Sequence, residues 1–323
     1  MINCYLHGFY LLQALCLKIL NISVARTYSM EIGLVSYEPK KVRGFDVHVY
    51  YAKRADGSIF TPAEHMYNDI TCFCDAKTIR SNPNLVAISA DGPALRKNRK
   101  VNMPWDYLCP TEESYRENLL GLIKNVGSRA EGVILNLYHF PEEGFCTCKR
   151  CQELWRKSGL SWLDWRIQTV TGFVKEAREM VRGGFATEIW PDPVLSRERF
   201  GVDFNQIAEY IDFFHVPLSA NDYNTMYWVD MLTRIFARIL KKPVFIELSA
   251  EMPNETKLNA LLRTMAYVSR HNVRGILLLV YNSENAEQVC RHAVKNAEIQ
   301  RWFETHGFSS MTEIIEKWKE FYY

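Results

Sequence analysis

From residue 30 onward, short apolar runs alternate with longer amphipathic ones. The apolar runs fall at 32–37, 45–51, 70–75, 132–139, 185–190, 211–218, 243–248 and 274–281. They are β-branched or aromatic and nearly continuous, the pattern of strands covered on both faces. Helical spacing fills most of the intervals. The stretch 111–126 follows Pro110 and lines up Tyr115, Leu119, Leu122 and Ile123. Ser161 opens a second helix with Asp164 in capping-box spacing and Trp162, Trp165, Val170, Phe173, Val174 and Ala177 on its apolar side. Further helices are expected at 224–240, 254–271, 284–304 and 311–322.

Strands and helices alternating at this length predict a parallel α/β sheet. Eight strand candidates favour a closed (β/α)8 TIM barrel over an open sheet. No Gly-rich phosphate loop follows a strand, which argues against a dinucleotide fold. The first third is irregular: about seven residues separate the first two strand candidates, too few for a crossover helix. Those two form a hairpin, or one stands outside the barrel. With no internal repeat or low-complexity linker, the expected organisation is a single barrel domain over 30–323, preceded by a peripheral segment, 1–29. The apolar stretch 9–22 is interrupted by Lys18 and too short to span a membrane. No Lys or Arg precedes it and no small-residue cleavage site follows, so neither a signal peptide nor a membrane partner is expected.

Composition narrows the function classes. With 48% hydrophobic and 24% charged residues in 323, the chain is ordinary globular protein. The 39 basic and 37 acidic residues nearly cancel and no long basic run occurs, so no nucleic-acid partner is expected. The 17 Tyr and 8 Trp exceed what a core needs and suit stacking on flat ligands such as sugars. Nine cysteines without an export signal point to metal or free thiols, and to a cytoplasmic location.

Three of those cysteines stand in Cys146-Thr147-Cys148-Lys149-Arg150-Cys151, a C-x-C-x-x-C spacing that can converge on one tetrahedral Zn²⁺. All-thiolate sites are closed, so such a zinc is expected to be structural. Chemistry should gather instead at the carboxyl ends of the strands. There the sequence places Asp75, then Asn136, Tyr138, His139, Glu142 and Glu143, then Glu188, Trp190 and Asp192. His215, Asp222 and Tyr223 follow the next strand, then Glu247 and finally Tyr281. Paired carboxylates act as acid and nucleophile on glycosidic bonds, while aromatic and amide groups bind hydroxyls and ring faces. Glu247 stands inside Pro-Val-Phe-Ile-Glu-Leu-Ser, where a charge is costly without partners or a task. Asp75, His139, Glu188, His215 and Glu247 are expected at one mouth of the barrel. Asn136, Trp190, Asp222, Tyr223 and Tyr281 would complete a carbohydrate or glycoside site.

Leu108-Cys109-Pro110-Thr111, a helix, the run from Gly132 to Pro141 and then the thiol cluster resemble the glycoside-hydrolase-like barrel proteins. The segment is also similar to the zinc-containing β-galactosidases, in which a C-x-C-x-x-C loop follows the fourth strand and four cysteines hold a structural zinc. This resemblance has motif detail over residues 70–155. It implies Cys109 as the fourth ligand beside Cys146, Cys148 and Cys151, with Cys74 as the alternative. It also implies Glu247 as nucleophile or base, and an acid at the end of the fourth strand, where Glu142 and Glu143 are the nearest carboxylates. The chain departs from the glycoside-hydrolase-like pattern by carrying Asn136 for an Asp and His139 for an Arg. An amide is no general acid. The same resemblance therefore also implies a rival reading, a non-catalytic carbohydrate-binding barrel. The tRNA-guanine transglycosylases share the thiol spacing, but their fourth ligand is a downstream His, and none occurs here between Cys151 and His215.

Overall fold

The computed structural model describes residues 29–219, 225–250 and 254–323. Eight parallel strands close into a barrel in sequential order: β1 Glu31–Ser36, β2 Val47–Lys53, β3 Tyr67–Thr71, β4 Gly132–Asn136, β5 Gly184–Glu188, β6 Phe213–Pro217, β7 Val244–Ser249 and β8 Gly275–Val280. Every expected strand is present. The first two are neither a hairpin nor split between sheets, since Gly33 pairs with Val47 and Ser36 with Tyr50 in parallel register. The third begins earlier than its apolar run implies. Tyr67–Thr71 makes the ladder, and residues 72–75 leave it.

The helices are α1 Ala76–Ser81, α2 Glu113–Gly127, α3 Lys149–Ser158, α4 Trp162–Met180, α5 Ser196–Phe200, α6 Phe204–Ile207, α7 Met226–Ile239, α8 Glu255–Val268, α9 Ser283–Lys295, α10 Ala297–His306 and α11 Ser309–Tyr322. Ser161 caps α4 by accepting the Asp164 amide at 3.1 Å. The helix expected over 284–304 is broken into α9 and α10 by Asn296, whose side chain accepts the Ile299 amide and starts a new helix. Among the described residues, no helix is long and apolar enough to cross a membrane.

No helix stands between β1 and β2. Their connection is covered by the last helix instead. Trp318 of α11 is buried against it, donates Nε1–H to the Gly44 carbonyl at 3.1 Å and packs on the Phe45 ring. Gly44 has φ +83°, and a Cβ there would lie 2.7 Å from the Trp318 ring, so both backbone and space require glycine.

Side chains alternate along each strand. One set packs outward under the helices, and the other fills the barrel with Val35, Val49, Ile134, Ala186, Phe213, Phe245, Leu277 and Leu279. At the amino-terminal end the Tyr67 ring takes the space left by two strand glycines. A Cβ at Gly184 would meet its hydroxyl at 2.2 Å, and one at Gly132 its ring at 2.4 Å. This plug leaves the other end of the barrel as the open one.

Candidate active site and thiol cluster

The alternation that buries the interior residues also builds the mouth. Two positions beyond an interior residue the same face is reached again. Val35 leads to Tyr37, Val49 to Tyr51, Tyr67 to Asp69, Ile134 to Asn136, Ala186 to Glu188, Phe213 to His215 and Phe245 to Glu247. Seven strands thus deliver a polar or phenolic group to one level of the barrel.

Three of these groups meet directly. The fully buried His215 places Nε2 3.0 Å from Glu247 Oε2 and Nδ1 3.5 Å from Glu188 Oε2. One donor atom from each of Glu188, His215 and Glu247 lies within 4.8 Å of the others. The second Glu247 oxygen accepts the Ser219 hydroxyl at 2.5 Å. Asp69 is wholly buried, and neither of its carboxylate oxygens has a hydrogen-bond partner of ordinary geometry. Burial pushes the Asp69 carboxyl well above the usual carboxylate range, Glu247 adds to the shift, and Asn136 opposes it. Burial likewise pushes Glu188 well up; His215 opposes this, and Asp69 and Glu247 reinforce it. For His215 burial acts downward, but contact with Glu247 and the charges of Glu247 and Glu188 outweigh it and raise its pKa. A ladder of rings leads from this pocket to the surface. Tyr51 stacks on Tyr37 at 4.9 Å between centroids, and Tyr37 on the half-exposed Tyr281 at 5.9 Å.

Asp75, His139 and Glu142, also expected at this mouth, have other partners. Asp75 is buried at the start of α1, accepts the Thr78 amide as N-cap and pairs with the buried Lys53 at 3.3 Å. His139 lies beyond the end of β4 and turns into the core, its ring 4.8 Å from Phe200 and Nδ1 2.7 Å from the Phe140 carbonyl. Burial draws its pKa down to about 4, so it is neutral at physiological pH. Glu142 accepts two hydrogen bonds from one guanidinium edge of Arg199, Nε at 2.8 Å and Nη2 at 2.5 Å, and Asp192 takes the remaining Nη1 at 2.8 Å. Glu143 is exposed beside it. Trp190 packs against Phe200 at 5.9 Å. Asp222 and Tyr223 lie outside the described residues. The structure thus brings together Glu188, His215 and Glu247 from the expected five, but not Asp75 or His139.

The thiols converge. Cys109, Cys146, Cys148 and Cys151 place their sulfurs within 4.8 Å of one another, with Cys109 3.8 Å from Cys148 and 3.4 Å from Cys151. These are not disulfide lengths, and all four cysteines are free. A tetrahedron of metal–sulfur bonds of about 2.3 Å has edges of about 3.8 Å, so the cluster fits a metal ion. Hydrogen bonds from neighbouring thiols, Cys109 first, hold Cys148 far below the ordinary thiol range, and those from Cys146 first draw Cys109 down to about 7. The same contacts, Cys109 first, push Cys146 and Cys151 far above that range, so these two thiols hold their protons in the metal-free cluster. Cys74 is not part of the cluster; it lies buried at the bridge to Tyr107. The cluster joins the loop after β4 to the long excursion after β3, where the Ile88 amide meets Cys146 Sγ at 3.3 Å and the Ile88 carbonyl takes the Thr147 amide at 2.7 Å.

No protein-family model matches the sequence, and no curated protein matches it. Solved structures do match in fold. An α-L-fucosidase isoenzyme from Paenibacillus thiaminolyticus superposes with a TM-score of 0.53 at 10% identity, over 91% of this chain and 49% of that one. The α-galactosidase AgaA of Geobacillus stearothermophilus gives 0.49 at 8% identity, over 90% and 42%. TtGalA, an α-galactosidase of Thermus thermophilus, gives 0.39 at 12% identity, over 83% and 57%. The likeness to the fucosidase is one of fold, a closed parallel barrel. It spans about half the length of the fucosidase it matches.

Asp69 is the residue that the sequence pattern passed over. It stands in Tyr67-Asn68-Asp69-Ile70-Thr71, an acidic residue inside a strand just as Glu247 is, but the apolar run at 70–75 drew the strand boundary past it. Tyr51 was hidden differently, as one aromatic in a strand that reads as wholly core.

Proposed function

We propose that the barrel mouth hydrolyses a glycosidic bond, with Glu247 as nucleophile and Glu188 as acid and base. The observation that carries this reading is the approach of one Glu188 oxygen to one Glu247 oxygen within 4.8 Å at the carboxyl ends of β5 and β7. Retaining glycosidases hold their two carboxyl groups about 5–5.5 Å apart. Burial favours the protonated Glu188 that an acid requires. Glu247 attacks the anomeric carbon while the Glu188 proton passes to the departing oxygen. Glu188 then takes a proton from water, whose oxygen displaces Glu247 and releases the sugar. Asp69, kept protonated by its burial and by Glu247, adds no third negative charge to the site. Glu142, committed to Arg199, leaves the acid role to Glu188.

Cys109, Cys146, Cys148 and Cys151 hold a structural Zn²⁺ in this reading, which fixes the loops after β3 and β4 and takes no part in bond breaking. A panel of aryl glycosides followed by proton NMR tests the proposal: hydrolysis with retained anomeric configuration supports it, and inversion excludes Glu247 as nucleophile. The second reading is a carbohydrate-binding barrel without turnover. It is favoured by Asn136, an amide at the end of β4 where the resembled pattern has a carboxylate. Saturable sugar binding with no hydrolysis across the panel would select it.

A further inference from the structure

Five buried polar atoms at the carboxyl ends of the strands have no hydrogen-bond partner: both ring nitrogens of His215, Glu247 Oε2 and both carboxylate oxygens of Asp69. His215 and Asp69 are fully buried. Glu247 offers its other oxygen to the Ser219 hydroxyl, which leaves Oε2 beside the imidazole. Buried polar atoms are satisfied in nearly all proteins, and buried charges are paired or hold a metal. Among the described groups whose charge bears on Asp69 and Glu188 there is no Lys or Arg, and His215 is the only base. Protons or a cation are therefore what remains to balance these acids.

The donor set has the dimensions of a coordination shell. His215 Nε2 stands 3.0 Å from Glu247 Oε2 yet makes no hydrogen bond to it, because the oxygen lies off the axis of the ring nitrogen. Two atoms held side by side on one ion, at about 2.1 Å and about 90°, are about 3.0 Å apart, and each lies about 45° off the other's line to the metal. An oxygen that close and that oblique is a poor acceptor but a well-placed neighbouring ligand. Glu188 brings the third donor, an oxygen within 4.8 Å of the other two atoms. Ligands on opposite sides of such an ion are about 4.2 Å apart. We propose that Glu188, His215 and Glu247 hold one divalent metal ion at the barrel mouth, through one imidazole nitrogen and one oxygen of each carboxylate. Oxygen donors with a single imidazole and no thiol suit a first-row ion such as Mn²⁺, whereas the thiol cluster suits zinc. Binding takes the imidazole lone pair and both ionised carboxylates, and any proton these atoms carry passes to water. The site does not depend on hydrolysis. Only its consequence rests on the glycosidase reading: an ion there occupies the oxygens of nucleophile and acid and excludes the glycoside.

The full chain, washed with dilute citrate to remove loosely held ions, is titrated with Mn²⁺, and the free ion is read from its EPR signal. The expected result is one Mn²⁺ bound per chain, with nitrogen modulation of its electron spin echo from a directly bound imidazole. Glu247→Gln and His215→Gln should each weaken binding by at least about tenfold, since even the outer partners of a metal site contribute that much. His215→Gln should also abolish the nitrogen modulation. No bound Mn²⁺ at millimolar concentration, bound Mn²⁺ without nitrogen modulation, or undiminished binding in both variants overturns the inference. So does modulation that survives in His215→Gln, which would place the ion on another histidine, such as His271 beside Asp230. The nitrogen signature is read in the parent protein, so a variant that fails to fold does not remove the test. No glycoside is present, so a glycoside panel without hydrolysis leaves the ion site standing, and hydrolysis without Mn²⁺ binding sinks the ion site alone.

Discussion

Asp69 and Glu247 stand on strands four apart in the eight-membered ring, so their carboxyl groups face each other across the barrel, and Glu247 adds to the burial that makes the Asp69 charge costly. Because the folded pKa of Asp69 is raised, the folded chain keeps a proton that the unfolded chain gives up at about pH 4. That stabilisation is complete below the unfolded pKa and is lost as pH rises through the folded one. Asp69→Asn removes the dependence. Its melting temperature should exceed the parent's at about pH 8 and converge with it toward about pH 4, as followed by thermal denaturation across that range.

Glu247→Gln keeps shape and volume while removing the negative charge beside His215. Hydrolysis of any glycoside found in the screen should fall by at least about a thousandfold, with the melting temperature held or raised. A loss of activity accompanied by unfolding would assign Glu247 to the fold alone.

Two further carboxylates separate the proposed acid from a loop clamp. Glu188→Gln should lower kcat by orders of magnitude and remove the basic limb of the pH–rate profile. Glu142→Gln breaks the paired contact with Arg199 and loosens the loop after β4. Its activity should fall by less than about tenfold, mostly through KM, because it leaves the Glu188–His215–Glu247 contacts in place. Equal losses in the two variants would restore Glu142 as a candidate acid.

One equivalent of zinc per chain is expected by elemental analysis of protein purified without chelator. Cys151→Ser should lose it, and limited proteolysis should then cut between residues 137 and 160 faster than in the parent. Cys74→Ser should retain the metal, since its sulfur is outside the cluster.

Trp318→Ala should cost about 3–5 kcal/mol, the usual range for emptying a buried aromatic site, measured by urea unfolding. Gly44→Ala should also destabilise, by strain at positive φ and by crowding the same indole.

The barrel was legible because its strands are covered on both faces and stand out as apolar runs between amphipathic helices. Glu247 and Glu188 were legible for the same reason, as acids at or near the ends of such runs. The thiol cluster followed from close spacing, with Cys109 supplied by the resemblance. What the pattern did not give was where a strand stops. At β3 a three-residue shift moved Asp75 out of the sheet into a helix cap and brought Asp69 into the barrel. At β4 the chain leaves the ladder after Asn136 and Leu137 takes φ +48°; continued alternation would in any case have aimed Tyr138, not His139, at the mouth. Salt bridges such as Glu142–Arg199 join residues 57 apart, a relation that periodicity does not encode.

The covering of the β1–β2 connection by α11 also sets an order of events during synthesis. Gly44 and Trp318 are separated by 274 residues, and β1 pairs with β8 as well as β2. A ribosome moving from β1 onward therefore leaves that strand with one unpaired edge, and its connection to β2 without a roof, until almost the whole barrel has emerged. Exposed strand edges invite pairing with other chains. The chain is thus most vulnerable to aggregation just before its last helix is made, and truncation ahead of Trp318 should yield insoluble protein even though every barrel strand is present.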